Sequence, residues 1–255
     1  MLNIDQQYRP VVPSSPNAPA NNKLLATLPV DDFTRLAPSC TIVPARARQT
    51  LHTQGEPITQ VYFPTGGAVS LVKTLSDGHS AEIATIGSEG MIGMHVFFGE
   101  NLSPCDAIVQ VANGAIYAVP VDAFNAEMHR RGAFYNLMIR YCAALTNQIM
   151  LASVCNSLHS AEQRTCRWLL TTHECVGMDD FPLTQDLVAE MLGVRRPTIT
   201  LIVGNLQRAG LISVRRGHVT ILDRDGLEAA CCECYATVKA SFSRLLPQRL
   251  VSNLQ

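Results

Sequence analysis

Side chains that suit contact with a nucleic acid are concentrated in one stretch of the chain, between Thr184 and Leu222. Guanidinium groups bind phosphate oxygens and guanine edges, and hydroxyl and amide groups hydrogen-bond to bases or phosphates. Together these residue types predict a surface that reads a DNA duplex from its major groove. The candidate contact residues are Thr184, Gln185, Arg195, Arg196, Thr198, Thr200, Leu201, Arg215 and Arg216.

The spacing of small and apolar residues in this stretch predicts the helix-turn-helix that would hold those side chains. Ala189 lets two helices cross closely, and Gly193 can adopt the positive φ of a tight turn. Pro197 suits the first position of the second helix. The apolar residues that would pack the pair on a third helix are Val188, Leu192, Val194, Ile199 and Ile202. The alternative at this point is an ordinary helical hairpin.

Two short β-like runs, 211–214 and 219–222, follow the second helix and flank the turn RRGH at 215–218. A glycine in that turn permits a positive φ, so the pattern predicts a basic-tipped hairpin, a wing beside the recognition helix. Residues 182–222 contain five arginines and two acidic residues, whereas the whole chain has 20 basic and 21 acidic residues. A local positive patch on a neutral protein is typical of specific nucleic-acid binding.

Length and composition indicate a two-domain protein with a sizeable core, since 47% of the 255 residues are hydrophobic and 16% are charged. The first residues lack the apolar segment of a secretory signal. The uncharged run 141–161 contains Asn147, Gln148, Asn156 and His159, which make it too polar for lipid. We therefore expect a cytoplasmic protein without a membrane span.

The nine cysteines do not form the paired CxxC sets of a zinc ribbon. The densest group, CCEC at 231–234, falls in a predicted helix, and no histidine follows it at ligand spacing. We expect reduced structural thiols, no metal and no cofactor. The cysteines are Cys40, Cys105, Cys142, Cys155, Cys166, Cys175, Cys231, Cys232 and Cys234.

Turn signals and short β-runs divide the N-terminal half. Four prolines with Asn and Ser between them predict a disordered or polyproline-like arm over residues 1–21, and residues 22–36 read as a short amphipathic helix. The β-runs predict a β-roll or jelly roll within residues 22–130, and Asp77-Gly78 is a hairpin signal. The runs are 61–63, 68–73, 81–86, 108–112 and 115–119.

A helical period begins after Val121, and one set of residues repeats at alternating spacings of three and four. This spacing predicts a dimerisation helix over residues 131–159 that pairs with a copy of itself. The alternative is a long helix buried against its own β-domain. The predicted seam consists of Phe134, Leu137, Tyr141, Ala144, Gln148, Leu151, Cys155 and Leu158.

The pattern Ser160-Ala161-Glu162-Gln163 is a capping box that starts a new helix, so a hinge is expected at residues 156–160. The winged helix-turn-helix domain would then occupy residues 160–230. A helical extension would follow over residues 231–255.

A β-roll, a long helix and a winged helix-turn-helix, in this order, resemble the Crp/Fnr family of bacterial transcription regulators. The resemblance covers about residues 22–230 and implies an α+β fold. It is carried by the motifs GEPI at 55–58, VYFP at 61–64, GSEGMIG at 87–93, CNSLHS at 155–160 with Arg164, RWLL at 167–170 and the stretch 183–212.

The departures from the family pattern concern the effector. Cyclic-nucleotide-binding members place a Glu after the glycine of one motif and an Arg in a later triplet, but here Met94 follows Gly93 and the triplet reads Cys105-Asp106-Ala107. No Lys or Arg occurs between Lys73 and Arg130. A buried cyclic phosphate would therefore lack a cation, and we expect no cyclic AMP binding.

Other family cofactors are also not expected. The iron–sulfur branch carries an N-terminal cysteine cluster, whereas no cysteine precedes Cys40. A haem-binding member would need an axial ligand, for which His52, His79 and His95 are the candidates. A redox- or haem-responsive regulator on the same scaffold therefore remains the alternative. In the recognition helix Arg196 matches the family, but Pro197 and Leu201 replace its Glu and second Arg, so a different half-site is expected.

The sequence thus predicts a DNA-binding regulator that is not an enzyme and that binds palindromic operators as a homodimer, with RNA polymerase as a further partner and an unknown effector. A cupin-type metalloenzyme would require clustered histidines, and the β-region contains only isolated ones. A protein-interaction module is disfavoured by the arginine pairs 195–196 and 215–216.

Overall fold

The computed structural model describes residues 21–245. The predicted arm, apart from its last residue, and the end of the C-terminal extension, residues 246–255, lie outside the described residues. The N-terminal elements are α1 (Val30–Leu36), β1 (Thr41–Pro44), β2 (Thr50–His52), β3 (Gln60–Pro64), β4 (Ala68–Thr74), β5 (Ser80–Ile86), β6 (Asp106–Val111), β7 (Ala115–Pro120), α2 (Val121–His129) and α3 (Ala133–Leu158). The C-terminal elements are α4 (Ala161–Val176), β8 (Asp180–Pro182), α5 (Gln185–Leu192), α6 (Arg196–Arg208), β9 (Ile212–Arg215), β10 (His218–Ile221), α7 (Arg224–Ala229) and α8 (Cys234–Leu245).

The β-roll consists of two antiparallel sheets, ordered β1-β7-β3 and β2-β6-β4-β5. The strand β6 is predictable from the sequence because its apolar residues alternate. Ala107, Val109 and Val111 point inward, and their neighbours are half-buried. The strand β1 has no alternating pattern that would predict it, since none of its four side chains is fully buried. The fold prediction of an N-terminal roll, a long helix and a C-terminal winged helix-turn-helix is confirmed.

The helix predicted over residues 22–36 is broken in two. A 3₁₀ turn covers Leu25–Thr27, and α1 begins only at Val30. Pro29 explains the break, because its ring forces Leu28 into an extended conformation and it cannot donate to a continuous helix. The buried Asn22 side chain fixes the segment by donating to the carbonyl oxygens of Pro64 and Gly90, at 2.8 and 2.9 Å.

The face of α3 predicted as a dimer seam is instead mostly buried within its own chain, so that prediction is wrong. Six of the eight residues are at most 7% exposed, namely Phe134, Leu137, Tyr141, Ala144, Gln148 and Cys155. The Tyr141 hydroxyl donates to the Met91 carbonyl at 2.7 Å, and Gln148 Nε2 donates to the Thr85 carbonyl at 3.0 Å. A three–four spacing marks an apolar helix face but not the partner that covers it, and here the β-roll and α8 cover it.

By length and composition alone α3 would suffice to cross a membrane, and 39% of its most apolar window is buried inside this chain. The polar anchors Tyr141 and Gln148 bind the β-roll from the buried face. That arrangement is typical of a core helix.

The C-terminal half forms a winged-helix domain, in which α4, α5 and α6 pack with the sheet β8-β10-β9. Ser160 caps α4 as predicted, since its Oγ accepts from the Gln163 amide while the Gln163 side chain accepts from the Ser160 amide. Trp168, Phe181 and Leu206 are at most 2% exposed and centre the core. The three-residue β8 has no sequence signal because it is too short to show an alternation.

The winged-helix domain is docked on the open face of the β-roll. Trp168 Nε1 donates to Glu82 Oε1 at 3.1 Å, and Asn113 Nδ2 donates to the Val176 carbonyl at 2.8 Å. The Glu82 carboxylate also accepts from the hydroxyls of Ser70 and Thr85. Burial raises the pKa of Glu82 above its ordinary value, although these three hydrogen bonds act to lower it. The Glu82 carboxyl group is therefore one of the polar contacts that join the two domains.

We expect Glu82→Gln to gain stability relative to the wild type as pH rises. A carboxyl group with a raised folded pKa contributes fully below its unfolded pKa of about 4.3, and that contribution is lost as pH rises through the folded value. Glutamine cannot titrate, so the difference in unfolding free energy between the variant and the wild type should increase as pH rises from about 4.3 through the folded pKa of Glu82. Urea unfolding followed by the fluorescence of Trp168, the only tryptophan, measures it.

The exposed Glu56→Gln serves as the matched control for the same chemical change. A difference for Glu82→Gln that stays constant over this pH range would contradict the account of the junction.

Candidate nucleic-acid interface

The helix-turn-helix is formed by α5 and α6, and local interactions fix both ends of its turn. Thr184 caps α5, because its hydroxyl accepts from the Leu187 amide at 3.2 Å. Gly193 ends α5 with a φ of 62°, the left-handed conformation that its position requires. The helix α6 begins at Arg196, so Pro197 is its second residue rather than its first. The earlier start costs nothing, because the second N–H of a helix also lacks an internal partner.

The buried side of the motif matches the predicted packing set. Val188, Leu192, Ile199 and Ile202 are at most 6% exposed, and only Val194 is half-buried. Ala189 is 6% exposed at the crossing of the two helices. Burial of this set leaves the opposite face of α6 directed to solvent.

The outward face of α6 carries the predicted contact residues. Arg195, Arg196, Thr198, Thr200 and Leu201 are all exposed. Leu201 is 63% exposed, which is unusual for a large apolar side chain and suits contact with a thymine methyl group. Thr184 is exposed at the start of α5, whereas Gln185 is half-buried and accepts a 2.7 Å hydrogen bond from the Thr200 hydroxyl.

Arg196 is held by an acidic neighbour that the sequence did not single out. Its Nε lies 3.2 Å from Asp186 Oδ1, and both side chains are 64% exposed. An exposed pair of this kind contributes at most about 1 kcal/mol, so a phosphate or a guanine edge can compete for the guanidinium. Asp186 could be predicted only from the structure, because an acidic residue in a sequence does not by itself suggest a DNA contact.

The wing is a tight hairpin with an arginine at its tip. Arg216 and Gly217 form the two-residue turn between β9 and β10, with φ values of 49° and 79°, which is the geometry of a type I′ turn. Arg215 and Arg216 are exposed. Next to the turn, β10 is connected to β8 by His218, whose Nδ1 lies 2.9 Å from Asp180 Oδ1. Hydrogen bonds from His218 and Thr220 lower the pKa of Asp180.

Met94 and Cys105, the residues at the family's ligand positions, line one small cavity inside the β-roll together with His52 and His95. Its volume is about 10 Å³, enough for one water, whereas ligand pockets usually measure about 300–1,000 Å³. His52 Nε2 donates to the Gln60 carbonyl at 2.8 Å. Burial lowers the pKa of both histidines, so neither supplies a positive charge at neutral pH.

Comparisons with known proteins agree with this geometry. Residues 42–131 match the family model of the cyclic nucleotide-binding domain, and residues 163–230 match that of the Crp-like helix-turn-helix domain. A global nitrogen regulator from Synechococcus elongatus is 20% identical over 185 residues, which are 69% of this chain and 82% of that protein.

Two solved structures are similar over most of their length. A transcriptional regulator of the Crp/Fnr family from Eubacterium rectale is 17% identical with a TM-score of 0.64, over 81% of this chain and 96% of that one. FixK2 from Bradyrhizobium japonicum is 16% identical with a TM-score of 0.64, over 76% of this chain and 98% of that one. At this level of identity the likeness establishes the fold.

We expect no binding of cyclic AMP, although the β-roll matches the cyclic nucleotide-binding family model. The cavity is too small, and Met94 and Cys105 offer neither the carboxylate nor the guanidinium that would hold ribose and phosphate. Isothermal titration calorimetry should show no heat of binding, and the nucleotide should leave DNA affinity unchanged. A micromolar dissociation constant would contradict this prediction.

Proposed function

Because this chain belongs to the Crp/Fnr family of transcription regulators, we propose that it binds palindromic DNA operators as a homodimer, with α6 in the major groove and the wing on the flanking backbone. The observation that carries this proposal is the exposed, arginine-containing face of α6 beside a wing with an arginine tip. Dimers of this kind of domain contact half-sites about 34–36 Å apart, which is one turn of the duplex. The two-fold symmetry of the dimer requires an operator with the same symmetry, that is, a palindrome.

The two arginine groups are proposed to have different roles. Arg196 lies in the first turn of α6, the part of a recognition helix that meets base edges, and its tether to Asp186 orients the guanidinium. Thr198, Thr200 and Leu201 supply hydroxyls and a methyl-contacting side chain on the same helix. Arg215 and Arg216 stand at the wing, where a cation holds phosphate without reading sequence. Thr184 and Gln185, at the start of α5, suit phosphate as well.

The proposed dimer contact uses a second apolar face of α3, which shares only Leu158 with the seam predicted from the sequence. Its side chains recur at spacings of three or four residues, as one face of a helix does, and lie opposite the buried face. Met150 is 55% exposed, Val154 50% and Leu158 76%. The face comprises Ile139, Ala143, Thr146, Met150, Val154 and Leu158.

A catalytic or haem-binding role is not favoured. His52 and His95 border a cavity of about 10 Å³, which cannot admit a haem, and His79 lies on the surface paired with Asp77. Regulators of this family are generally not enzymes, and we propose that this chain acts in the cytoplasm by binding DNA. RNA polymerase is the partner that an activator of this class would contact.

Arg196→Ala should reduce the preference for one base at one operator position, because a guanidinium bound to guanine O6 and N7 contributes about 1–3 kcal/mol of discrimination against other bases. Asparagine tolerates the left-handed backbone of the turn, so Arg216→Asn should leave the hairpin intact. It should weaken binding to all DNA sequences alike and reduce the dependence of log affinity on log salt concentration by about one unit. Operators selected from random DNA, then titrated at two salt concentrations, provide the measurement. The reverse pattern between the two variants would contradict the assigned roles.

Met150→Glu should shift the protein from dimer to monomer and weaken operator binding. Each copy would lose the burial of a side chain that contributes about 1.5–3 kcal/mol, and two carboxylates would be brought together. Light scattering measures the mass, and Leu75→Glu, an equally exposed apolar position on the β-roll, is the control. A variant that stays dimeric would show that this face is not the contact. A charge at Leu137, by contrast, would disrupt the core.

A further inference from the structure

Three cysteines and a histidine from distant parts of the chain meet at the end of α3. Cys155 and His159 are one helical turn apart there, Cys232 lies between α7 and α8, and Cys234 is the first residue of α8. Their ligand atoms all lie within 4.8 Å of one another. Cys155 Sγ is 3.5 Å from Cys232 Sγ, and Cys234 Sγ is 3.6 Å from His159 Nδ1. We call these four residues the Cys3His cluster.

We propose that the Cys3His cluster binds one structural Zn²⁺ ion. Three thiolates and one imidazole are a ligand set that zinc takes in closed, four-coordinate sites. Zinc binds sulfur at about 2.3 Å and imidazole nitrogen at about 2.0–2.1 Å, so the edges of its ligand tetrahedron measure about 3.5–3.8 Å. The two distances across the Cys3His cluster match such edges.

The surroundings of His159 are those of a metal ligand. Its Nδ1 faces the cysteines, and its Nε2 lies 3.2 Å from Glu233 Oε2. A metal-binding histidine usually donates its remaining ring N–H to a carboxylate or a carbonyl, which fixes the tautomer and the orientation of the ring. Glu233 stands between the two cysteine ligands of its own segment, so one short segment supplies two thiolates and the supporting carboxylate.

The charge around the Cys3His cluster also suits zinc. Zn²⁺ with three thiolates and a neutral imidazole carries one net negative charge, and the three thiol protons leave to solvent as the metal binds. Arg167 supplies a nearby positive charge, and its Nε has no hydrogen-bond partner among residues 21–245. Cys155, Cys232 and Cys234 are at most 4% exposed, so the ion would be shielded from water.

The position of the Cys3His cluster indicates what the ion would hold together. His159 is the first of the two residues between α3 and α4, so it lies at the junction of the β-roll and the winged-helix domain. The helix α8 returns along α3, where Asn147 Nδ2 donates to Ser241 Oγ at 3.2 Å. A zinc ion at this point ties the C-terminal segment to the junction and fixes the angle at which α4 leaves α3.

Two other chemistries fit less well. An iron–sulfur cluster inserts several iron and sulfide atoms between its thiolates, which needs more room than ligand atoms within 4.8 Å leave. A disulfide between Cys155 and Cys232 would require the sulfurs to approach to about 2.05 Å, and it would leave His159, Glu233 and Cys234 without a role.

Elemental analysis of the full-length protein, purified without added metal or chelator, tests the proposal. We expect one zinc per chain. Replacement by Co²⁺ should give the thiolate-to-cobalt charge-transfer bands and the strong visible absorption of a tetrahedral site. A preparation that contains no zinc and does not take up Zn²⁺ or Co²⁺ would overturn the proposal. The proposal would also be overturned if the protein contained iron together with sulfide, or if two free thiols were lost without any bound metal.

Single substitutions distinguish the proposed zinc ligands from residues that are only adjacent to them. Cys234→Ser and His159→Gln should lower zinc occupancy, and Cys231→Ser is the matched control, because its thiol is adjacent in sequence but is not part of the Cys3His cluster. An equal loss of zinc in Cys231→Ser would overturn the ligand assignment. Where a variant does not fold, the cobalt spectrum of the wild type decides, because it reports both the sulfur ligands and the tetrahedral geometry.

Discussion

The helix α3 has two apolar faces, and the rest of the structure depends on how each of them is covered. The first face of α3 is buried against the β-roll and α8, with Tyr141 and Gln148 hydrogen-bonded to backbone carbonyls of the roll. The second face, which includes Met150 and Leu158, is directed to solvent within the single chain. A helix with apolar residues on opposite sides is stable in water only when both sides are packed, which is why we propose a second copy as the partner.

The same helix links the β-roll to the winged-helix domain in the chain. Met94 and Cys105 help to fill the interior, where a ligand would otherwise bind. The roll contacts the winged-helix domain through Glu82 and Trp168. An input that changes DNA binding is therefore better placed at the junction between α3 and α4 than in the centre of the roll. The Cys3His cluster lies at that junction.

Local patterns in the sequence predicted the elements whose physics is local. The turn at Gly193, the capping box at Ser160 and the basic hairpin tip at Arg216 depend on residues a few positions apart, and all three are present. The failures concern distant partners. The heptad spacing around Tyr141 was correct for an apolar face, but which surface covers it depends on the tertiary fold. Cys155 and Cys232 meet although 77 residues separate them, and their spacing gives no signal.

If two symmetry-related recognition helices bind one operator together, its affinity must depend on the spacing of the two half-sites. Inserting about 5 base pairs, half a helical turn, between the half-sites of a selected operator would turn one of them to the opposite side of the duplex. We expect the affinity to fall to the level of a single half-site, and to be restored when about 10 base pairs are inserted and the dimer can still bridge the two half-sites. Unchanged affinity after the half-turn insertion would contradict it.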